Sequence, residues 1–405
     1  MKKMLMAAGM AAVMTACGTA GQKAATDAGN PFLAEYSTPF GVPPFDLIKV
    51  EHYKEAFLKG MEEQKKEIDA IVNQRSVPDF DNTIAAFDQS GELLNKVSTV
   101  FSGLNSCNTN DEMQAFNKEI TPLLSAHRDD ISLNPALFAR VKEVYERREK
   151  LGLDKEQNKL LEETYKKFVR GGANLDSVDQ AKLRQLNSEI SMLQLTFGQN
   201  LLKETNAFEL VIDKKEDLAG LPESLVASAA EAAKGAGMEE KWLFTLHNPS
   251  VMPFLQYADN RELREKIFKG YINRGNNGNE ADNNEIVKKL VALRLEKAKL
   301  MGYADYASCI LEDRMAKNEE NVYRLLNQIW TPAVAKAKEE LFDIQAEIKK
   351  EGANFTPEGW DWRYYFEKAK KAKFSLDENE VRPYLELNNV REGAFYVANR
   401  LYGIT

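Results

Sequence analysis

The chain has only three histidines among its 405 residues, His52, His127 and His247, and no two of them lie close together in sequence. A zinc-binding H-E-x-x-H helix needs two imidazoles one helical turn apart on one face, with the intervening glutamate as the base. No such pair occurs in these residues. We therefore expect no catalytic residue, no metal ligand and no bound cofactor in this chain.

Cysteine is equally scarce, with Cys17, Cys107 and Cys309 as the three thiols. Cys17 belongs to an N-terminal segment with a different character, discussed below. The other two are far apart in a large chain, which excludes a disulfide framework of the kind found in small secreted domains. We expect Cys107 and Cys309 to be buried free thiols, and a disulfide between them is the alternative.

An excess of positive charge is also missing. The 54 basic residues are outnumbered by 62 acidic ones, which gives a formal net charge of -8. Nucleic-acid binding normally needs a clustered basic face, so a nucleic-acid partner is not expected. The chain contains no internal repeat, and no low-complexity segment follows residue 30. With 43% hydrophobic residues it can build a sizeable core.

The N-terminus carries the pattern of a targeting signal. Two lysines precede an apolar stretch from Met4 to Met14, which is too short to span a bilayer. The stretch ends in Thr15-Ala16-Cys17-Gly18, which resembles a bacterial lipobox. Residues 1–17 are predicted to be a signal peptide with lipidation of Cys17, and residues 18–30 a flexible tether. The protein would then be exported to the periplasm or anchored to the outer membrane as a lipoprotein. Simple secretion with cleavage nearby is the alternative.

Helical patterns dominate the remainder. Thr109 with Glu112, and Ser177 with Gln180, have the spacing of a capping box, and Asn134 precedes a proline at a first helical position. Two consecutive glycines after Arg170 indicate a helix end. The longest apolar stripe has spacings of three and four and predicts one long helix. Its members are Leu183, Leu186, Ile190, Leu193, Phe197 and Leu201.

Strand patterns are few. Phe208–Ile212 and Trp242–Leu246 are short runs that favour extended structure and are separated by a helical, alanine-rich segment. We expect them to pair with each other. The predicted fold class is therefore all-α with one small β element.

Several short segments occur in the same order as in bacterial peptidyl-dipeptidases of the thimet oligopeptidase family, and the resemblance extends from about Pro31 to Thr405. The segments are Asn82-Thr83-Ile84, Thr109-Asn110-Asp111-Glu112-Met113-Gln114, Leu137-Phe138-Ala139-Arg140-Val141, Phe168-Val169-Arg170-Gly171-Gly172-Ala173, Asn260-Arg261-Glu262-Leu263-Arg264, Arg314-Met315-Ala316 and Asp361-Trp362-Arg363-Tyr364-Tyr365.

This resemblance implies a mostly helical peptidase with two lobes flanking a deep channel. It also implies a zinc ion, held by an H-E-x-x-H helix, that activates water for the hydrolysis of short peptides and the release of C-terminal dipeptides. The matching zinc helix would lie beyond Thr405. Residues 31–240 would form an N-terminal helical region, and residues 241–405 the start of an incomplete catalytic region. We expect the chain to be a piece of a longer gene product and inactive alone; a naturally shortened, non-catalytic relative is the alternative.

Candidate contacts with a substrate are limited to two places. Asp361, Trp362, Tyr364 and Tyr365 could line the channel, because Trp and Tyr combine apolar area with a hydrogen-bonding group; packing between helices is the alternative. His247, before a proline turn, is the second candidate, and an ordinary loop histidine is its alternative reading.

Two functions remain open. The first is the N-terminal part of an exported zinc oligopeptidase, acting as a monomer on short peptides and bound to a membrane through its lipidated N-terminus. The second is a helical lipoprotein that binds peptides or glycans without chemistry. In the first case, apolar stripes that pack on the missing lobe should be exposed. The stripe that we expect to be exposed contains Tyr323, Leu326, Ile329 and Trp330.

Overall fold

The computed structural model describes residues 29–375 and 378–405. The predicted signal peptide 1–17, with Cys17, and nearly all of the tether 18–30 lie outside the described residues. Two compact units can be distinguished: one contains residues 29–76 together with 85–116, and the other contains 77–84 together with 117–375 and 378–405. Helices make up most of the described residues and the strands form one two-stranded sheet. This confirms the predicted all-α class with one small β element.

The first unit is built around two long helices. Its elements are 3-10 turns at Pro31–Leu33 and Pro39–Gly41, helix α1 (Val50–Val72), helix α2 (Ala86–Gln89), which follows a π-helical turn at Phe80–Ala85, and helix α3 (Glu92–Cys107). Tyr53 and Phe57 lie one turn apart on α1 and are fully buried. Their rings contact Phe101 of α3 and Phe116 at centroid distances of 5.0 to 6.0 Å. This aromatic cluster forms the core of the unit, because large rings bury much apolar area.

The second unit contains most of the remaining elements. They are α4 (Asp111–Ser132), whose first residues are counted with the first unit, α5 (Pro135–Glu146), α6 (Lys155–Arg170), α7 (Ser177–Ala207), β1 (Leu210–Ile212), α8 (Glu223–Gly235), β2 (Trp242–Phe244), α9 (Asn248–Tyr257), α10 (Arg261–Ile272), α11 (Asn284–Leu300), α12 (Tyr306–Leu311), α13 (Glu319–Lys350), α14 (Gly359–Phe374), α15 (Glu378–Val381) and α16 (Leu387–Tyr402), with 3-10 turns at Arg148–Lys150, Lys215–Leu218 and Arg382–Tyr384.

The two predicted strands pair as expected, although each is shorter than its apolar run. β1 and β2 are antiparallel, with Leu210 opposite Phe244 and Ile212 opposite Trp242. The sheet packs with α8, α9 and α10 around a core that includes Leu210, Phe244, Phe254 and Ile267. A three-residue strand is stable here because it buries apolar side chains against helices.

Helix starts agree with the sequence in one case and differ by a residue in two. Asn134 caps α5 by accepting from the amides of Ala136 and Leu137, as predicted. The expected cap at Thr109 is wrong, because the Asn110 side chain accepts from the Met113 amide at 2.8 Å instead. The expected cap at Ser177 is also wrong, because the preceding residue, Asp176, caps α7 by accepting from the amides of Val178 and Asp179. A nearby Asn or Asp displaces a hydroxyl, since it is an equally good or better acceptor.

The predicted end of α6 is confirmed. The helix ends at Arg170, and Gly172 adopts a φ of +97° that favours glycine. The amide of Ala173 donates to the carbonyl of Phe168, which closes the turn. The long helix predicted by the apolar stripe is also present as α7, although Leu183 and Leu186 are the only members of that stripe to be buried.

Most of α13 is exposed. Its buried residues are Ile344 and Ile348, which pack with Tyr364 and Tyr365 of α14. Tyr323, Leu326, Ile329 and Trp330 near its start are 51 to 69% exposed. The predicted exposure of this stripe is confirmed among the described residues.

The two described cysteines are both free thiols. Cys107 is exposed and Cys309 is partly buried, so the predicted burial is wrong for Cys107. Cys107 is the last residue of α3, and its Sγ lies 3.1 Å from the carbonyl oxygen of Gly103 in the same helix. None of the described helices combines the length and apolar character that a bilayer crossing requires.

Candidate functional site

Asp361, the first member of the predicted channel cluster, lies in the first turn of α14 and is fully buried. Its carboxylate accepts from the Glu358 amide at 3.1 Å, which completes the start of the helix. Arg261 of α10 donates to both carboxylate oxygens, with distances of 3.0 Å from Nε to Oδ1 and 2.8 Å from Nη2 to Oδ2. Arg264, one turn further along α10, donates from Nη2 to Oδ1 at 3.0 Å. One buried carboxylate therefore joins α10 to α14.

Arg264 is 1% exposed, so its charge is as deeply buried as that of Asp361. Its Nη1 donates to the carbonyl oxygens of Ala258 and Asp259 at 2.7 and 3.1 Å, and its Nε donates to that of Trp360 at 3.2 Å. These bonds use three of the four N–H groups of the guanidinium that do not donate to the carboxylate. A buried ion pair is tolerated when its remaining polar atoms are satisfied in this way.

The pKa of Asp361 shows the balance of these effects. Burial by itself would raise the pKa of this carboxyl. Hydrogen bonds from Arg261, from the Glu358 amide and from Arg264 outweigh burial, and they hold the pKa below its ordinary value. Asp361 is therefore ionised at neutral pH and is unsuited to donating a proton there.

Tyr364 and Tyr365 are also buried, and both hydroxyls have partners. Tyr364 donates to Asp259 Oδ1 at 2.7 Å, and Tyr365 donates to Glu351 Oε2 at 3.0 Å. Burial, followed by the hydrogen bond to Glu351, raises the pKa of Tyr365 to about 12. Trp362 is partly buried and packs against the cluster between α13 and α14.

The predicted residues of α14 thus lie in two neighbouring contacts, one with α10 and the other with α13. In the described residues Asp361 forms salt bridges with two arginines of α10, and the hydroxyls of Tyr364 and Tyr365 donate to carboxylates. This arrangement agrees with the packing interpretation that the sequence left open. A contact with substrate stays a prediction. Sequence reasoning missed the arginines as members of this cluster, although the three-residue spacing of Arg261 and Arg264 places both on one face of a helix.

The three histidines have separate structural surroundings. His52 lies in the first turn of α1, where its Nδ1 accepts from the Lys49 amide at 3.1 Å. His127 is buried in α4. His247 precedes α9, with Nδ1 at 3.0 Å from Thr245 Oγ1 and Nε2 at 3.2 Å from Asn206 Oδ1. Both ring nitrogens of His247 have partners, which fixes the orientation of the ring.

A zinc site needs three or four nitrogen, sulfur or carboxylate ligands at one point. Across residues 29–375 and 378–405, no group of three or more His, Cys, Asp or Glu side chains could hold a metal ion. The carboxylate of Asp361 is taken up by arginines, which repel a cation. The described residues therefore do not fit the zinc ion that the resemblance implies.

A cavity of about 840 Å³ lies in the second unit beside His247. Its walls come from α8, from β2 and the residues that follow it, from the whole length of α9 and from the segment from Val381 to Leu385. This volume is within the range of ligand pockets, roughly 300 to 1,000 Å³. Of the candidate substrate contacts named from the sequence, His247 is the one that lines this cavity.

Comparison with known proteins gives two kinds of match. Residues 254–405 match Peptidase family M3. The chain is 41% identical over 376 residues to the dipeptidyl carboxypeptidase of Escherichia coli strain K12, with 93% of the chain and 55% of the relative covered. A dipeptidyl carboxypeptidase of Salmonella typhimurium is 40% identical over 377 residues, with the same coverage.

Oligopeptidase A of Escherichia coli is 29% identical over 380 residues, again with 93% of this chain and 55% of the relative covered. The chain spans about half the length of these relatives. The helical fold and the ordered motifs agree with these matches, and residues 254–405 are the part of the chain that matches peptidase family M3.

Proposed function

We propose that this chain forms part of a peptidase that hydrolyses oligopeptides and releases dipeptides from their C-termini. The observation that carries the proposal is its identity of 41% to a dipeptidyl carboxypeptidase, against 29% to an oligopeptidase A over nearly the same residues. Since both relatives are covered to the same extent, the higher identity favours the activity of the first.

The contribution of the described residues is structural in this proposal. Asp361 and its two arginines fix α14 against α10, and the cluster of Tyr364 and Tyr365 fixes α14 against α13. A helix held by buried ion pairs at one end and by packed rings along its side has little freedom to rotate. Such rigidity suits a wall that must present side chains to a peptide in a constant position.

The family resemblance implies that zinc supplies the Lewis acid for hydrolysis. The described residues do not fit that ion, so no step is assigned to them. We therefore propose that the 405-residue chain does not release dipeptides by itself. Incubation with an N-terminally blocked oligopeptide, followed by mass spectrometry of the products, tests this; dipeptide release by the purified chain would contradict it.

A chimera tests the activity itself. Residues 31–405 would replace the aligned part of the Escherichia coli dipeptidyl carboxypeptidase, and the rest of that enzyme would be kept. We expect the chimera to bind zinc and to release dipeptides from the C-terminus of the blocked peptide. A folded, zinc-loaded chimera that cuts internal bonds without releasing dipeptides would contradict the proposed specificity.

The matched control is a second chimera that joins residues 31–405 to the remainder of Escherichia coli oligopeptidase A. The proposal expects dipeptide release to be lower here than in the first chimera. Equal product patterns from both would mean that this chain does not contribute to the choice of product.

We also propose that the protein is exported and held to a membrane through a lipid on Cys17, and that it acts as a monomer. The lipobox-like sequence before Cys17 supports the first part. Metabolic labelling with a radioactive fatty acid tests it, with Cys17→Ala as the control. Label that persists in the Cys17→Ala variant would contradict the lipid assignment.

A further inference from the structure

The cavity beside His247 has two kinds of wall. One side is apolar and is formed by Leu225 and Ala229 of α8, by Leu243 of β2 and by Pro253 of α9. Leu225, Ala229 and Leu243 also belong to the buried interior, so this wall is backed by packed core. An apolar side chain placed here would be removed from water on a rigid surface, which is the main source of affinity in small-molecule pockets.

The other side of the cavity carries hydroxyl groups and one permanent charge. Ser224 and Ser228 lie one turn apart on α8, and Thr245 follows β2. The Ser228 hydroxyl donates to the Ser224 carbonyl at 2.9 Å, which leaves its oxygen available as an acceptor. Thr245 is held in place by His247, which lies 3.0 Å from its hydroxyl. Hydroxyls of this kind suit the N–H and C=O groups of a peptide backbone.

Arg382 supplies the charge. It is the one Lys, Arg, Asp or Glu among the residues that line the cavity, although the protein as a whole is acidic. Its Nη1 donates to Ser224 Oγ at 2.7 Å, and it forms no ion pair with a carboxylate of the described residues. A guanidinium has five N–H donors, and its planar fork matches the two oxygens of a carboxylate. The cavity therefore offers a cationic group that can bind an anion, and this group lies beside an apolar wall.

We propose that this cavity binds a short peptide that ends in a free carboxylate and carries an apolar C-terminal side chain. Arg382 pairs with the carboxylate, the wall formed by Leu225, Leu243 and Pro253 receives the side chain, and the hydroxyls of α8 meet the backbone. The volume of about 840 Å³ accommodates a ligand of two or three residues. The proposed peptidase would release products of this class. The statement that the ligand is a reaction product therefore rests on the proposed function.

Calorimetric titration of the 405-residue chain tests the binding without any need for catalysis. The probes are N-acetyl-Phe-Leu, its C-terminal amide, and octanoate, which has a carboxylate and an apolar chain but no peptide groups. We expect the acid to bind at least about tenfold more tightly than the amide, because a charge-assisted hydrogen bond is lost. Equal binding of acid and amide, or no binding of the acid, would overturn the proposal. Binding of octanoate as tight as that of the acid would assign the cavity to simple carboxylates rather than peptides, which also overturns it.

Two substitutions locate the ligand in this cavity. Arg382→Gln removes the charge, and Ala232→Phe fills the cavity from an exposed position on α8. We expect Arg382→Gln to weaken binding of the acid at least about tenfold and to leave the amide unchanged. We expect Ala232→Phe to abolish binding of both. The controls are Arg400→Gln, which makes the same charge change on α16, and Ala227→Phe, which makes the same size change on α8 outside the cavity.

Unchanged binding in Arg382→Gln or Ala232→Phe would place the ligand elsewhere and refute the assignment. This result is distinguishable from failure of the proposed function. The chimeras keep Arg382 and report hydrolysis, whereas the titrations report binding to a chain that is expected to be inactive.

Discussion

Replacement of Asp361 by asparagine is the most direct test of the contact between α10 and α14. The side chain keeps its shape, but the charge that neutralises Arg261 and Arg264 is lost. Arg264 is 1% exposed, so its guanidinium would remain buried without a counter-ion. Removal of one partner from a buried pair costs about 3 to 5 kcal/mol. We expect the lower end of about 3 kcal/mol, because Arg264 keeps three backbone carbonyl partners.

Hydrogen exchange of the amides in α10 and α14 measures this cost locally. A loss of about 3 kcal/mol corresponds to a decrease in protection of about 100-fold, since each 1.4 kcal/mol is a factor of ten. Arg261 is 39% exposed on its side chain, so Arg261→Gln should have a smaller effect than Asp361→Asn. Glu339→Gln is the control, because it breaks an exposed ion pair with Lys336 and should leave protection unchanged. A decrease of less than about tenfold for Asp361→Asn would refute the buried-charge reasoning.

The difference in stability between wild type and Asp361→Asn should depend on pH in a defined way. The pKa of Asp361 is lowered from its ordinary value of 3.8 in the folded protein. Its ionisation therefore stabilises the fold fully above that value, and the stabilisation is lost as the pH falls through the lowered pKa. The difference between wild type and Asp361→Asn should be constant between about pH 5 and about pH 8, and it should shrink below the ordinary value. A difference that grew on acidification would show the opposite sign of linkage.

Three further changes have clear expected outcomes. Gly220→Ala should destabilise the second unit by more than about 1 kcal/mol in thermal unfolding, because φ is +82° and a Cβ would lie 2.2 Å from the Tyr257 carbonyl oxygen; unchanged stability would show that this close approach relaxes freely. Tyr364→Phe should cost about 1 kcal/mol by loss of its hydrogen bond to Asp259, as measured by the same unfolding, and a stabilised variant would contradict this. Trp330→Ala should change stability by less than about 0.5 kcal/mol and should reduce binding of an apolar dye, because the side chain is 69% exposed; a large loss of stability would show that it is packed.

Local features were the most predictable part of the fold. The cap at Asn134 depends on residues within three positions, and the sequence contains all of them. The two short strands were predictable from their apolar runs, although the runs did not show that Thr245 and Leu246 lie outside β2. The caps at Thr109 and Ser177 were missed by one residue, because neighbouring Asn110 and Asp176 compete for the same amides.

The candidate sites were less predictable, because they depend on long-range contacts. The aromatic neighbours of Asp361 mark it as a candidate in the sequence, but its partner Arg261 is 100 residues away. The cavity is assembled from four separate segments, and Arg382 reaches Ser224 across 158 residues. Periodicity or spacing within one segment does not predict a contact between residues so far apart in sequence. A family resemblance gives the order of the motifs, whereas the distances between their side chains depend on the folded structure.

The four backbone and side-chain acceptors around Arg264 limit which residue can stand at that position. The end of α9 and the start of α14 both depend on the spread of donors across one flat guanidinium. A lysine would carry the same charge at a single point, and it could not reach both helix termini at once. Arg264→Lys should therefore be nearly as damaging as loss of the side chain. At this position the planar shape of the guanidinium matters more than its positive charge.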